Sequence, residues 1–363
     1  MVVQESQENS QTRGSGWQKP PQFERQREGD DVIIIRQPAP REGTLLEIAA
    51  EVSDLTLDVV SGLIDLGAVY YGETEAPGQA PKWRRANRLA EAAPHHPIKQ
   101  GQWVRVHPNP KRYPAAQTTD WAARVIHLDA DFCVVNKPAR IPVQSHESNS
   151  VETVPRCLVK ALGLEHLWML HRLDYCTTGV LLLGRNEQSS RRFMQDMEAH
   201  KVQKQYKVLT PVPVEAGLEV VHYMYPGPFG SSLEVMAGKG LRARGPRLLS
   251  QQPISTGKEW KKCVLKIVDT KLPLQVYEST VNLSFGGRTH QIRAQLAAIG
   301  APVIGDVMYG AIAGATVSDS AIADNDLIRR IDDCSQIDGP IGLHAYSMTW
   351  EDRTYKAVAP WEE

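Results

Sequence analysis

The chain lacks most marks of a secreted or membrane-embedded protein. Its five cysteines, Cys133, Cys157, Cys176, Cys263 and Cys334, are scattered over 363 residues and never form a C-x-x-C pair. An odd, unpaired set argues against a disulfide framework and against a structural zinc held by thiolates. No apolar run approaches the roughly 18–20 residues that a membrane-spanning helix needs. The N-terminus has no apolar segment after a basic start, so no secretory signal is expected, and its acidic residues are unlike an organellar transit peptide. A reducing, cytoplasmic setting without membrane contact is therefore expected, ahead of an organellar one. Excess charge is also missing: 41 Lys and Arg face 42 Asp and Glu, a net of −1. A polyanion partner would then have to be met by local patches, not by the sum. One stretch lacks basic residues altogether. Between Arg41 and Lys82 there is no Lys or Arg, while Glu47, Glu51, Asp54, Asp58, Asp65, Glu73 and Glu75 occur there.

What is present is ordinary for a globular protein, 42% hydrophobic and 23% charged, and long enough for two domains. Residues 1–31, rich in Gln, Glu, Ser, Arg and Gly, read as a disordered tail. Residues 32–112 form a first unit. Val32 to Ile35 is a strand candidate. Leu45, Leu46, Ile48, Ala49 and Val52 suit one face of a helix starting at Thr44, with Glu47 as its capping-box partner. Ser53-Asp54 ends it, and Leu57, Val60, Leu63 and Ile64 suit a second helix. Gly67 to Gly72 turns into a strand, and Ile98 to Val106 is another. His95-His96 and His107 could suggest a metal, but adjacent histidines diverge and no carboxylate sits at ligand spacing, so a loop with a solvated His95-His96 pair is expected. Pro108 to Thr119 reads as a linker into a second domain, residues 113–363.

In that second domain Val125 to Pro138 gives two strands around a turn at Asp129 to Asp131, with Lys137 read on its own as solvated. Val151 to Leu162 fits a helix. Ser189 to Val202 fits another, with Ser189 as its cap. Lys204 to Leu209, Lys261 to Val268, Tyr277 to Phe285 and Gly342 to Trp350 read as strands. Thr289 can cap a helix from His290 to Ile299 whose core face is Ile292, Leu296 and Ile299, leaving Arg293 at its flank. The basic run Lys239 to Arg247 and an acidic insert at 311–338 are irregular.

The stretch that organises the chain is Leu170 to Asn186. A polar loop with His171, Arg172 and Asp174 is followed by Thr177, Thr178, Gly179 and the apolar run Val180 to Leu183, which reads as a buried strand. A single carboxylate thus sits at the mouth of a core strand, where a catalytic group is well positioned. The bland reading is a surface Arg172–Asp174 ion pair of little consequence.

Several segments then agree. His171-Arg-Leu-Asp-Tyr-Cys-Thr-Thr-Gly179 resembles the signature of RNA pseudouridine synthases, in the branch typified by the ribosomal large-subunit enzymes. Asn136-Lys-Pro138, Lys204-Gln-Tyr206, Gly287 to Arg293 with Gly305-Asp306, and Gly342 to Ala345 resemble that family's other segments, in the same order. Thr178 replaces a Ser and keeps the hydroxyl. The first unit is similar to a small S4 RNA-binding domain, although its acidic helices would repel phosphates. RNA contact has then either moved to the later basic stretch, Lys82 to Arg112, or been lost in favour of a scaffold.

The resemblance implies an α+β protein: a catalytic domain with a mixed, largely antiparallel sheet, preceded by a small α+β domain. It implies isomerisation of uridine in rRNA or tRNA by a monomer, without cofactor or metal. Asp174 would be the essential carboxylate, as nucleophile or as base toward the sugar. Arg293 would hold it ionised, and Tyr206 would be a stacking surface and proton carrier. Arg172 would fill the vacated stack or hold a phosphate, and His171 would support the loop. Lys137, Thr177, Arg288, His290, Gln291 and Leu343 complete the expected substrate-binding set. The rival readings are a non-catalytic RNA-binding or assembly protein that keeps the fold, and a metal hydrolase using the histidines.

Overall fold

The computed structural model describes residues 34–73, 80–225, 247, 249–253, 259–272, 276–285, 287–310, 313–314 and 339–362. The expected N-terminal tail, residues 239–246 of the basic run and nearly all of the acidic insert lie outside them. The chain divides into two units, one of residues 1–112 with His146–Val151, the other of Tyr113–Ser145 with Glu152–Glu363.

The first unit packs two helices on one face of a four-stranded sheet. Strand β1 (Ile35–Pro38) is followed by α1 (Leu45–Ser53) and α2 (Leu57–Leu66), then β2 (Val69–Glu73), β3 (Lys82–Arg85) and β4 (Trp103–Val106). Thr44 and Glu47 form the capping box the sequence suggests, and Asp54 ends α1 in the left-handed conformation. The buried stripes of both helices, including Leu45, Ile48, Val60, Leu63 and Ile64, meet Val69, Tyr71, Val104 and Val106 of the sheet. Leu57 is an exception: as the first residue of α2 it lies beyond the packed stripe and is exposed. The expected strand Ile98 to Val106 is interrupted by a turn at residues 99–102, because Gly101 takes a left-handed φ of 81°. Tyr70 and Tyr71 point to opposite faces, so His107, beside Tyr70, and His96, against Tyr71, are kept apart.

The second unit is built on eleven strands among the described residues. In chain order its main elements are β5 (Val125–Leu128), β6 (Phe132–Lys137), α3 (Val154–Leu162), β7 (Thr178–Gly184), α4 (Glu187–Glu198), β8 (Gln203–Thr210) and β9 (Glu219–Met224). Then come β10 (Lys261–Lys271), β11 (Tyr277–Phe285), α5 (Gln291–Ala298), β12 (Leu343–Trp350) and β13 (Arg353–Lys356). The strands run β9-β10-β11-β8-β12-β7-β6-β5 across the sheet, with β13 beside β12, Leu249–Ser250 beside β9 and Trp168–Met169 beside β7. Every pairing is antiparallel except the central one, β7 with β12. The fold is α+β with a mixed, mostly antiparallel sheet.

Strand β7 is buried on both faces, which is why it reads as an unbroken apolar run. Leu181 and Leu183 join the core that holds Val135, Tyr206, Val208 and Leu343. Val180 and Leu182 join Phe132, Phe193, Met348 and Trp350 on the other side. The cap of α4 is Asn186, not Ser189: the Asn186 side chain accepts the Ser189 amide. Neither does Thr289 cap α5. His290 precedes that helix with a φ of 62°, and the Gln291 side chain accepts the Arg288 amide instead. Gln291 through Ala297 are all buried, so α5 has no solvent flank, while Ile299, beyond its end, is exposed.

Gly179 allows the central parallel pair to close. Its φ is 110°, and a Cβ there would stand 2.3 Å from the Ala345 carbonyl oxygen. Backbone cannot yield as a side chain can, so Gly179→Ala is expected to cost about 3 kcal/mol. Chemical denaturation checks this; a loss under about 1 kcal/mol would show that the pair can part cheaply.

Candidate active site

The parallel pairing puts the starts of β7 and β12 at one end of the sheet, with Thr178 opposite His344 and Gly179 opposite Ala345. The loop carrying Asp174 therefore opens at that end. Across β12, Tyr206 of β8 stands opposite Ala345, where the register slips between Gln205 and Tyr206. Such a bulge re-aims the side chain that follows it. Thr178 Oγ1 lies 2.7 Å from His344 Nδ1, whose Nε2 is 3.0 Å from the Ala357 carbonyl. The carbonyl requires a proton on Nε2, so Nδ1 accepts from the threonine hydroxyl.

Asp174 is partly exposed, its side chain at 15%, and faces Arg293 and His290. Arg293 Nη1 is 3.4 Å from Asp174 Oδ2, and His290 Nε2 is 3.8 Å from the same oxygen. Arg293 itself is buried and fixed elsewhere. Its Nε donates to Asp306 Oδ2 at 2.6 Å and its Nη2 to Asp306 Oδ1 at 3.0 Å, a two-bond fork. Its guanidinium also lies 5.0 Å from the centre of the Tyr309 ring. Burial alone would lower the Arg293 pKa, but the bonds to Asp306 outweigh it and hold the guanidinium charged. For Asp174, burial pushes the carboxyl up, while His290, Arg293 and Arg172 push it down and prevail, leaving it below the ordinary value.

His290 is pulled to about 4, chiefly by burial, so its imidazole is neutral at pH 7. Tyr309 Oη accepts the Arg247 amide at 2.7 Å and donates to His290 Nδ1 at 3.1 Å, which turns the Nε2 proton toward Asp174. One guanidinium between two carboxylates, beside a neutral imidazole, leaves a negative charge at the site. Burial and the Asp174 charge both raise the Tyr206 phenol, which stays protonated. Tyr206 is itself buried in the core, with little more than an edge open.

The sequence-derived set is thus only partly gathered here. Asp174, Arg293 and His290 are together, and Tyr206 is within electrostatic reach. Arg172 is exposed and its Nη1 donates to Gln144 rather than pairing with Asp174, which removes the surface-pair reading. Arg288 is exposed too. His171 Nε2 accepts the Leu182 amide at 3.0 Å, tying the loop to β7. Thr177 is buried, and its hydroxyl has no partner among the described residues.

Three expected substrate contacts are corrected. Gln291 is buried and donates to Val264 O and Gln295 Oε1, so it closes the start of α5. Leu343 packs in the core. Lys137 is neither solvated nor open to substrate. It is fully buried, and its Nζ donates to the carbonyls of Pro138, Asp174, Tyr175 and Thr177 at 2.9, 3.1, 3.4 and 2.9 Å. Burial pushes its ammonium down to about 7, and it gathers three carbonyls of the Asp174 loop, where the Arg140 amide also donates to Tyr175 O and the Thr177 amide to Asp174 O. Lys137→Met is expected to cost at least about 2 kcal/mol and to lower kcat more than RNA affinity. Equal losses in both would show that the lysine does not position Asp174.

The sequence reading gave no role to Asp306 or Tyr309. Both follow α5 closely, and Asp306 stood in a quoted segment, but nothing in the spacing ties either to Arg293.

Residues 131–298 match the family model described as RNA pseudouridylate synthase. These residues belong to that family. The chain is 31% identical over 310 residues to "RNA pseudouridine synthase 6, chloroplastic" of Oryza sativa subsp. japonica, covering 74% of this chain and 61% of that protein. The Arabidopsis thaliana protein of the same name is 29% identical over 318 residues, covering 76% and 61%. The chain thus spans about three-fifths of the length of these two relatives. Among solved structures, "Human RNA Pseudouridylate Synthase Domain Containing 4" aligns with a TM-score of 0.46 at 21% identity, over 66% of this chain and 90% of that one.

Proposed function

We propose that the chain converts uridine in RNA, of the ribosomal or transfer class, into pseudouridine, with Asp174 acting on the ribose. The bond from C1′ to N1 breaks and one from C1′ to C5 forms. C5 gives up its proton and N1 gains one, so substrate and product are isomers. The observation that carries the reading is Asp174: one partly open carboxylate, held ionised against a guanidinium that Asp306 fixes from behind. A buried uridine must leave its stack to reach it. Arg172, exposed beside the loop, fits the vacated stack or a neighbouring phosphate. Tyr206 contributes the flank of the site, its neutral phenol able to pass a proton.

The names of the two plant relatives favour an organellar place of action over the cytoplasmic one expected from the N-terminus. The chain acts as a monomer in this reading. The test is incubation with RNA from cells lacking the gene, followed by nucleoside mass spectrometry. New pseudouridine is the expected result. None at any position, with RNA still bound, would overturn the reading in favour of a non-catalytic binding protein.

A further inference from the structure

The sheet of the first unit has two unlike faces. One packs on α1 and α2 through Val69, Tyr71, Val104 and Val106. On the other, strand register sets Arg36, Arg105, Tyr70 and Arg85 directly opposite one another across β1, β4, β2 and β3. The next row on the same face is Pro38, Trp103, Gly72 and Trp83. Arg105 lies 3.9 Å from the centre of the Tyr70 ring and 5.0 Å from that of Trp83, and Arg85 lies 5.0 Å from that of Tyr70.

Three like charges in one cross-strand row repel. Neither row contains an acid. Glu147 lies near Arg85, while its own carbonyl accepts the Tyr70 hydroxyl and the His146 carbonyl accepts Arg85 Nη2. Yet three nitrogens on this face, Arg85 Nη1, Arg105 Nε and His107 Nε2, are buried without a hydrogen-bond partner among the described residues. Arg105 is 8% exposed and His107 2%. Unpartnered buried donors are uncommon in a folded chain, and these lie beneath the surface that Arg36, Trp83 and Trp103 present. Arg36 is exposed and Trp83 and Trp103 half-buried, so the row of tryptophans is within reach of a ligand.

We infer that this sheet face, and not the acidic helices, is where the first unit holds RNA, as a single strand. Phosphates meet the arginine row and unstacked bases meet Trp83 and Trp103. The inference deepens the RNA reading above and rests on it for the identity of the polyanion.

The test uses the full chain with a short labelled single-stranded RNA and an RNA duplex of equal length. Arg36→Ala with Trp83→Ala, both at strand edges, is expected to weaken single-strand binding about tenfold and to lower the salt slope by about 0.7. Arg41→Ala, whose guanidinium pairs with Glu51 at 2.9 Å, is the control and should bind like the parent. Parent-like affinity and slope in the double variant would overturn the inference, as would equal weakening for the duplex. Because binding is read without turnover, loss of binding in the variant of a protein that makes no pseudouridine would uphold this face and reject the catalytic reading alone.

Discussion

Asp174→Asn is expected to abolish pseudouridine formation while leaving RNA affinity within a few-fold of the parent. The substitution keeps the shape of the side chain and removes its charge. Arg293 Nη1, 3.4 Å from Asp174 Oδ2, would then face an amide. A neutral amide can neither attack C1′ nor take a proton from the sugar, so the fall should exceed about 10³ in kcat. Single-turnover conversion and equilibrium binding to the same RNA separate the two quantities. Parallel loss in both would mean that Asp174 holds the loop and does no chemistry. The pH dependence carries a further check. The Asp174 carboxyl lies below its ordinary value, so the ionised form persists as the pH falls. Its protonation should then leave kcat flat between about pH 5 and 8.

The second large effect is expected at Asp306, which does not itself reach the open site. Removing it in Asp306→Ala leaves the Arg293 guanidinium buried, with Asp174 as its nearest carboxylate. Breaking a buried pair from one side costs about 3–5 kcal/mol. Arg293 would also turn more fully onto Asp174 and cover the oxygen that must react. Activity should drop about tenfold to a hundredfold even where the protein stays folded, with little change in RNA affinity. Asp306→Asn, which keeps one acceptor, gives a milder case that remains folded. Thermal melting and kcat measured on both variants decide it. A parent-like melt and parent-like kcat in Asp306→Ala would show that Arg293 is fixed by other means.

The comparison of Asp174 with Lys137 shows how far a single sequence reaches. Asp174 stood out because a polar loop gives way to an apolar strand at Thr178, and the strand then proved buried on both faces. Lys137 ends a hairpin strand, and locally that is a solvated position. It is buried because the loop at 174–177 folds over it and offers three carbonyls, a long-range fact. Arg293 was legible only through the family's motif. By helical spacing it was a flank residue, and the structure buries it because α5 is enclosed on every side.

The first unit gives the same lesson in charge. Its helices announced themselves through Thr44, Glu47 and the apolar spacing, and their acidity argued against RNA. The arginines at 36, 85 and 105 are scattered along the chain, and only antiparallel register brings them into one row.

The sequence by itself determined most of the elements and their apolar faces, because turn chemistry and apolar period act within a few residues of chain. It also singled out the carboxylate proposed to react. Tertiary structure alone decided which groups surround that carboxylate and which face of the first sheet is cationic. Those depend on contacts between segments more than a hundred residues apart in one case and on strand pairing in the other, and no local pattern encodes either.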